Sequence, residues 1–179
     1  MRIFMTGATG YVGSYVVHEL LQCSSAPLYL LIRANNREEA LLKLWRGLQL
    51  HQDETTFAHY VPRLRIVLGD LSLDNLGIAK ERYSELIKET NSVLHVGASL
   101  NRRSEKSCLN VNLRGTLSVL KLARELADKG QLRRFSHVST VAVAGKRFCE
   151  VVTENESIEW SRSDYDPYAR TKKFCEHMA

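Results

Sequence analysis

Short runs that are apolar at most positions alternate along this chain with longer stretches in which apolar residues return every three or four positions. The short runs, "RIFMT", "LYLLIR", "LRIVLGD", "SVLHVGA" and "RRFSHVST", predict five strands, because brief continuous apolar runs bounded by turn residues suit strands buried on both faces. The longer stretches predict helices near 11–22, 37–50, 78–89 and 109–128. A polar loop, "VTENESIEWSRSDYDP", then leads into a last helix beginning near Pro167. A helix between successive buried strands is the connection that a parallel pair requires. The pattern therefore predicts an α/β chain, a doubly wound parallel sheet with helices on both faces. The three prolines, Pro27, Pro62 and Pro167, fall at predicted boundaries between elements, and no internal repeat breaks the alternation.

At 179 residues the whole of 1–179 reads as one domain, large enough to bury a core without disulfides or a structural metal. Five strands are one short of the usual nucleotide-binding sheet, so the chain is expected to be truncated ahead of a C-terminal substrate-binding part. Cys23, Cys108, Cys149 and Cys175 form no Cys-x-x-Cys pair and point to neither a zinc cage nor a disulfide framework. No apolar run reaches the roughly 20 residues of a membrane span, and Gly7 and Gly10 interrupt any leader pattern, so a cytoplasmic protein is expected. The net charge of +5 is spread over short pairs such as Arg102-Arg103 and Arg133-Arg134 without interleaved aromatics, which is not a nucleic-acid surface.

The candidate chemistry begins at "TGATGYVG". Gly7, Gly10 and Gly13 stand three apart, after the first strand and before a helix whose Val12, Tyr15, Val16 and Leu20 share one face. Small residues at such a junction let backbone approach a pyrophosphate, and the helix dipole and free N–H groups favour negative charge; the competing reading is a tight turn that binds nothing. With Thr6, Thr9, Tyr11 and Val12 they make a candidate dinucleotide loop and a Rossmann-like fold. About twenty positions further on, a carboxylate would hold the ribose 2′-hydroxyl of NAD. This chain carries Arg33 there. A guanidinium suits a 2′-phosphate, so NADP (as NADPH) is the expected cofactor, against the reading of a solvated arginine ending a strand. Arg37, Lys43 and Arg46 are read mainly as helix-surface charges. Asp70, followed by Leu71 in "LGDLS", is placed either to accept from an adenine amino group or to cap the next segment. Gly97 and Ala98 end the fourth strand at the switch point, where small residues leave room for a cofactor, and His95 is expected to be a packed core histidine.

"YDPYARTKK" puts Tyr168 and Lys172 four apart on one helix face. A tyrosine, with a reference pKa of about 10, exchanges its proton near neutral pH only when positive charge stabilises the phenolate, which a lysine one turn on supplies, and the same Lys172 ammonium can hydrogen-bond the nicotinamide ribose. The pair is a weak motif by itself and takes its meaning from its place after the fifth strand. Thr140, with Ser139 beside it, is expected to end that strand at the carboxyl edge, where a hydroxyl stabilises a carbonyl oxygen gaining charge; a β-branched residue ending a strand is the plain alternative.

Taken together, "TGATGYVG", "HVST" and "YARTK" resemble the extended short-chain dehydrogenase/reductase superfamily. "LLIRANNREEALLKLWRGL", "VLGDLSLDNLGI", "VLHVGASLN" and "NVNLRGTLSVLKLA" resemble its thioester reductase and fatty acyl-CoA reductase branch, over nearly the whole chain. The resemblance implies Gly7, Gly10 and Gly13 as the phosphate loop, Arg33 as the 2′-phosphate ligand, Thr140, Tyr168 and Lys172 as the catalytic triad, and Asn112 as a brace for the active-site helix. The implied activity is NADPH-dependent reduction of an acyl thioester, on an acyl or peptidyl carrier protein or on coenzyme A. Two departures stand out: Lys173 replaces the family's usual aromatic residue after the lysine, and the family's C-terminal substrate domain is absent. An NAD(P)-dependent epimerase, dehydratase or ketoreductase, and a cofactor-sensing protein without catalysis, remain as alternatives.

Overall fold

Five parallel strands, β1 (Ile3–Thr6), β2 (Leu28–Ile32), β3 (Leu64–Leu68), β4 (Ser92–His95) and β5 (Arg134–His137), form one sheet in the order β3-β2-β1-β4-β5 in a computed structural model. Residues 1–154 and 157–179 are described; Asn155 and Glu156 of the predicted polar loop lie outside the described residues. Ile3 pairs with Leu28 on one side and Ser92 on the other, so the strand order reverses about β1. That reversal opens a crevice beyond the carboxyl ends of β1 and β4.

Alternation along the strands divides the core into two. Ile3, Met5, Leu28, Leu30, Ile32 and Leu64 face helices α1 (Tyr11–Cys23), α2 (Arg37–Leu48) and α3 (Glu54–Tyr60), meeting Val17, Leu21, Leu44, Leu48 and Phe57. Phe4, Tyr29, Leu31, Val67 and Val93 face the other way, onto Leu86 and Ile87 of α4 (Lys80–Glu89) and Val119, Leu122 and Leu126 of a long helix beyond β4. The predicted doubly wound sheet with helices on both faces is what forms.

Boundaries differ where tertiary partners intervene. The predicted helix over 109–128 is two pieces, a π-helical stretch at Leu109–Arg114 and α6 (Gly115–Asp128), and a short helix not predicted, α5 (Glu105–Cys108), precedes them. β4 and β5 stop at His95 and His137, short of the expected Ala98 and Thr140. After His95, the Gly97 N–H turns to the Thr6 side-chain hydroxyl at 3.1 Å instead of a backbone carbonyl of the neighbouring strand. After His137, the Val138 carbonyl is taken by a lysine of α7 (Pro167–Met178). Pro167 opens α7 at its first position, with Asp166 capping the Ala169 N–H at 2.8 Å. Among the described residues no helix is long and apolar enough to cross a membrane, and no cluster of acidic, His or Cys side chains is arranged to hold a metal ion.

Candidate active site

A cleft of about 800 Å³ opens over the carboxyl ends of β1 and β4. Its floor is the glycine loop, where the three glycines answer different demands. Gly7 has a φ of +78°, and a Cβ on it would lie 2.5 Å from the Gly97 nitrogen. A Cβ on Gly13 would lie 1.9 Å from the Gly7 carbonyl oxygen. Packing of the loop against β4 and α1 therefore excludes side chains at both. Gly10 is otherwise: its backbone is extended, φ −84° and ψ 169°, and a Cβ there would make only an ordinary 3.4 Å contact with the Gly7 oxygen. The fold leaves position 10 free to carry a side chain, so the space above it is a cradle a methyl group would fill.

The first turn of α1 has no side-chain cap. α2, α3, α5 and α7 are each capped by a side chain, of Asn36, Asp53, Ser104 and Asp166, whereas α4 and α6 share the uncapped start of α1 but do not line the cleft with their first turns. An uncapped helix start facing a cleft, with backbone N–H groups and the positive end of the dipole exposed, suits a pyrophosphate. Thr9, Tyr11 and Val12 line the cleft with the glycines. Thr6 does not: it is buried beneath, its Oγ1 2.6 Å from His95 Nδ1. His95 is fully packed as expected, and its Nε2 lies 3.0 Å from Thr116 Oγ1. Burial, with the charges of His137 and Lys172 adding to it, pushes His95 down to about 3.

At one end of the cleft lie Arg33, Asp70 and Leu71. The Arg33 guanidinium sits 3.6 Å from Asp70 Oδ2 and its side chain is 80% exposed, so the protein itself makes little use of this charge. Asp70 Oδ1 accepts from both the N–H and the hydroxyl of Ser72, each at 2.8 Å. Burial works against its charge, yet these bonds and Arg33 hold its carboxyl below the usual carboxylate range. Asp70 thus holds the turn at Ser72 with Oδ1 and faces Arg33 with Oδ2. Lys43 also lines the cleft, its Nζ donating to the Arg33 carbonyl at 2.7 Å; Arg37 and Arg46 do not line it.

At the other end lie Gly97, Ala98, Tyr168 and Lys172. Lys172 is buried, and its Nζ donates to the Val138 carbonyl at 2.7 Å and lies 3.0 Å from His137 Nε2. Desolvation lowers its pKa, with the facing Cys175 and Glu176 acting in the opposite direction. Tyr168 is also buried, and the Arg102 guanidinium stands 5.7 Å from its ring centroid while pairing with Asp166 at 3.4 Å. Asn112 ties the wall together: its Oδ1 accepts from the Ser99 N–H at 2.7 Å, and its Nδ2 donates to Thr171 Oγ1 at 3.1 Å, one residue from Lys172. Lys173 is buried too, with its Nζ 2.7 Å from Asp164 Oδ1. A cation in place of the family's aromatic residue thus fastens the preceding loop to α7.

Thr140, like Thr6, is a predicted residue that the cleft lining lacks. Because β5 ends early, Thr140 caps the 3-10 turn Val141–Ala144, its Oγ1 accepting from the Ala142 N–H at 3.3 Å, while Ser139 reaches the cleft wall. The Ser139 hydroxyl, however, donates to the Glu176 carboxylate. Of the two, Thr140 accepts in its bond and keeps its own proton to give. Sequence reasoning missed Arg102 and His137, which touch α7, and Ser99, which reaches it through Asn112; nothing in the local patterns around them marked them as part of the site.

The family model described as Male sterility protein, an NAD-binding domain, matches residues 5–179. A linear gramicidin synthase polypeptide of Brevibacillus parabrevis is 30% identical over 177 residues, 97% of this chain and 3% of that protein. Fatty acyl-CoA reductase wat of Drosophila melanogaster is 29% identical over 143 residues, 77% of this chain and 27% of that protein. The crystal structure of the terminal R domain from the myxalamid PKS-NRPS pathway superposes with a TM-score of 0.87 at 28% identity, over 98% of this chain and 44% of that one. This chain spans less than half the length of each. With the glycine loop, the parallel sheet and the cleft at its switch point, these likenesses place the chain in the Male sterility protein family, the NAD(P)-binding thioester and fatty acyl-CoA reductases of the extended short-chain dehydrogenase/reductase superfamily.

Proposed function

We propose that this chain binds NADPH and supplies the reacting side chains for reduction of an acyl thioester, held on a carrier protein or on coenzyme A, to an aldehyde or alcohol. The observation that carries the reading is one cleft with an uncapped helix start at its floor, Arg33 at one end and the Tyr168–Lys172 pair at the other. The loop N–H groups of α1 would hold the pyrophosphate, Arg33 with Lys43 a 2′-phosphate, and Gly97 and Ala98 the space for the ring. When bound, the nicotinamide supplies the hydride.

The protein's part is geometry and proton handling. Tyr168, on the cleft wall, donates a hydrogen bond to the thioester carbonyl oxygen, which gains negative charge as its carbon is reduced; Thr140, next to Ser139 of that wall and with its hydroxyl proton uncommitted, would be the second donor once its side chain turns to the bound substrate. Tyr168 gives its proton to that oxygen, and the Lys172 ammonium stabilises the phenolate left behind. Loss of thiol from the hemithioacetal then releases the aldehyde. An arginine where NAD-dependent epimerases would carry an acid favours this reading over a sugar epimerase. The test is NADPH consumption by the whole protein with acyl-CoA and acylated carrier protein as substrates. Tyr168→Phe is expected to lower turnover by at least a hundredfold while NADPH affinity changes less than threefold. Unchanged turnover in that variant, or no consumption with any thioester, overturns the reading.

A further inference from the structure

Beneath the cleft, four buried or half-buried side chains run in file across the sheet: Thr6 on β1, His95 on β4, His137 on β5 and Lys172 on α7. Thr6 Oγ1 accepts from the Gly97 N–H at 3.1 Å and lies 2.6 Å from His95 Nδ1. The His95 ring packs against the His137 ring with centroids 5.2 Å apart, and His137 Nε2 lies 3.0 Å from Lys172 Nζ. An ammonium has three N–H bonds and accepts nothing, so His137 must present an unprotonated Nε2 and carry its hydrogen on Nδ1. That Nδ1 is buried and has no partner among the described residues.

We propose that His137 is a positioning residue for the reaction: as a neutral acceptor it holds the second N–H of Lys172, the Val138 carbonyl the first, so that the third is aimed into the cleft. This rests on the reading of Tyr168 and Lys172 as the reacting pair. Two observations carry it. An unpartnered buried N–H lowers stability, so packing alone would be better served here by an apolar ring. And His95, locked by Thr6 and Thr116, fixes the ring plane from behind, which a filler residue would not need.

The titratable groups around Lys172 include His137 on β5, His95 on β4, and Tyr168, Cys175 and Glu176 on its own helix. Burial, then the Lys172 charge, pushes His137 down to about 4, so it stays an acceptor across the working pH range. Removing that acceptor leaves the ammonium less well solvated, and its proton comes off at lower pH.

The experiment compares His137→Phe, His137→Gln and His137→Asn in the whole protein, following kcat and KM across pH together with thermal unfolding. Glutamine reaches the Nε2 position with an amide oxygen; asparagine does not. The expected result is a kcat at least tenfold lower for phenylalanine and asparagine, with KM for NADPH within threefold and the alkaline limb of kcat about one pH unit lower. Glutamine returns kcat to within threefold of wild type and restores the limb, and the phenylalanine variant unfolds no earlier than wild type. Wild-type kcat and an unmoved limb in the phenylalanine variant overturn the proposal. So does equal loss in all three variants that tracks a fall in Tm. Tyr168→Phe run alongside separates the two levels: if it stays active, the reading of the reacting pair fails, whereas an inactive Tyr168→Phe beside a normal His137→Phe removes only the role of His137.

Discussion

Alanine at Gly10 and alanine at Gly13 should fail in opposite ways. At Gly10 the backbone already sits at φ −84° and ψ 169°, open to any residue, and the new methyl meets only the Gly7 oxygen at 3.4 Å. Restricting the unfolded chain gains about 0.4–1 kcal/mol, and replacing glycine by alanine as helix N-cap loses about as much. Stability should hold to within about 1 kcal/mol, or about 3 °C in Tm for a domain of this size. At Gly13 the methyl would lie 1.9 Å from the Gly7 oxygen and 2.8 Å from its carbon, both backbone atoms. The loop must move by more than an ångström, and the cost, about 2–4 kcal/mol, exceeds the helix-propensity gain of about 1 kcal/mol. NADPH binding should behave in the reverse sense to stability for Gly10→Ala: fold intact, affinity down more than tenfold, because the methyl stands where a pyrophosphate meets the α1 N–H groups. Thermal unfolding and nicotinamide fluorescence titration on the same samples decide it. Gly10→Ala with wild-type affinity, or with the Tm loss of Gly13→Ala, would refute the reasoning that position 10 serves a ligand and position 13 the fold.

Arg33→Ala should weaken NADPH binding by at least tenfold, bring it to the NADH value and leave Tm unchanged, since the Arg33 side chain is 80% exposed; equal loss for both nucleotides would remove the 2′-phosphate assignment. Lys173→Met strands a carboxylate, Asp164, whose side chain is only 16% exposed and whose remaining partner is Arg170 at 3.3 Å. Breaking such a pair from one side costs about 3 kcal/mol, which Asp164→Asn in the same chain should partly restore in a denaturant titration; a Tm within 2 °C of wild type would show the pair to be idle. His95 and His137, held down to about 3 and about 4, stay neutral in the folded chain and protonate on unfolding below the ordinary value of about 6.5. Their contribution to stability is therefore full above about pH 6.5 and lost as pH falls through about 4 for His137 and about 3 for His95. Unfolding near pH 5.5 should take up about two protons, reduced to about one in His95→Gln, and a flat stability profile between pH 5 and 6.5 would contradict both shifts.

The sheet was legible because each strand is a continuous apolar run and each buries both faces: Ile3 and Met5 on one side, Phe4 on the other. The helix Glu54–Tyr60 was not, since Phe57 is its one buried residue and its start is marked by nothing but the Asp53 cap. The break of the predicted helix at Leu109–Arg114 has a tertiary cause. Asn112 faces inward and reaches both Ser99 and Thr171, and the wider turn, which rotates less per residue than a regular helix, sets the phase at which it does so.

The loop, Arg33, Tyr168 and Lys172 could be brought to one cleft from sequence because each has an address fixed by spacing along the chain. The direction of a proton has no such address. Ser139 and Thr140 are adjacent, both hydroxyls at the same strand end, and nothing local separates them. What separates them is Glu176, 37 residues on, which takes the Ser139 proton, and the Ala142 N–H, which takes only a lone pair of Thr140. The same holds for His137: its ring becomes an acceptor only because α7 returns across the end of β5 and sets Lys172 Nζ 3.0 Å from it. Chemistry at this site is decided by which donors and acceptors are already engaged, and those engagements are made between α7 and the strand end rather than within either.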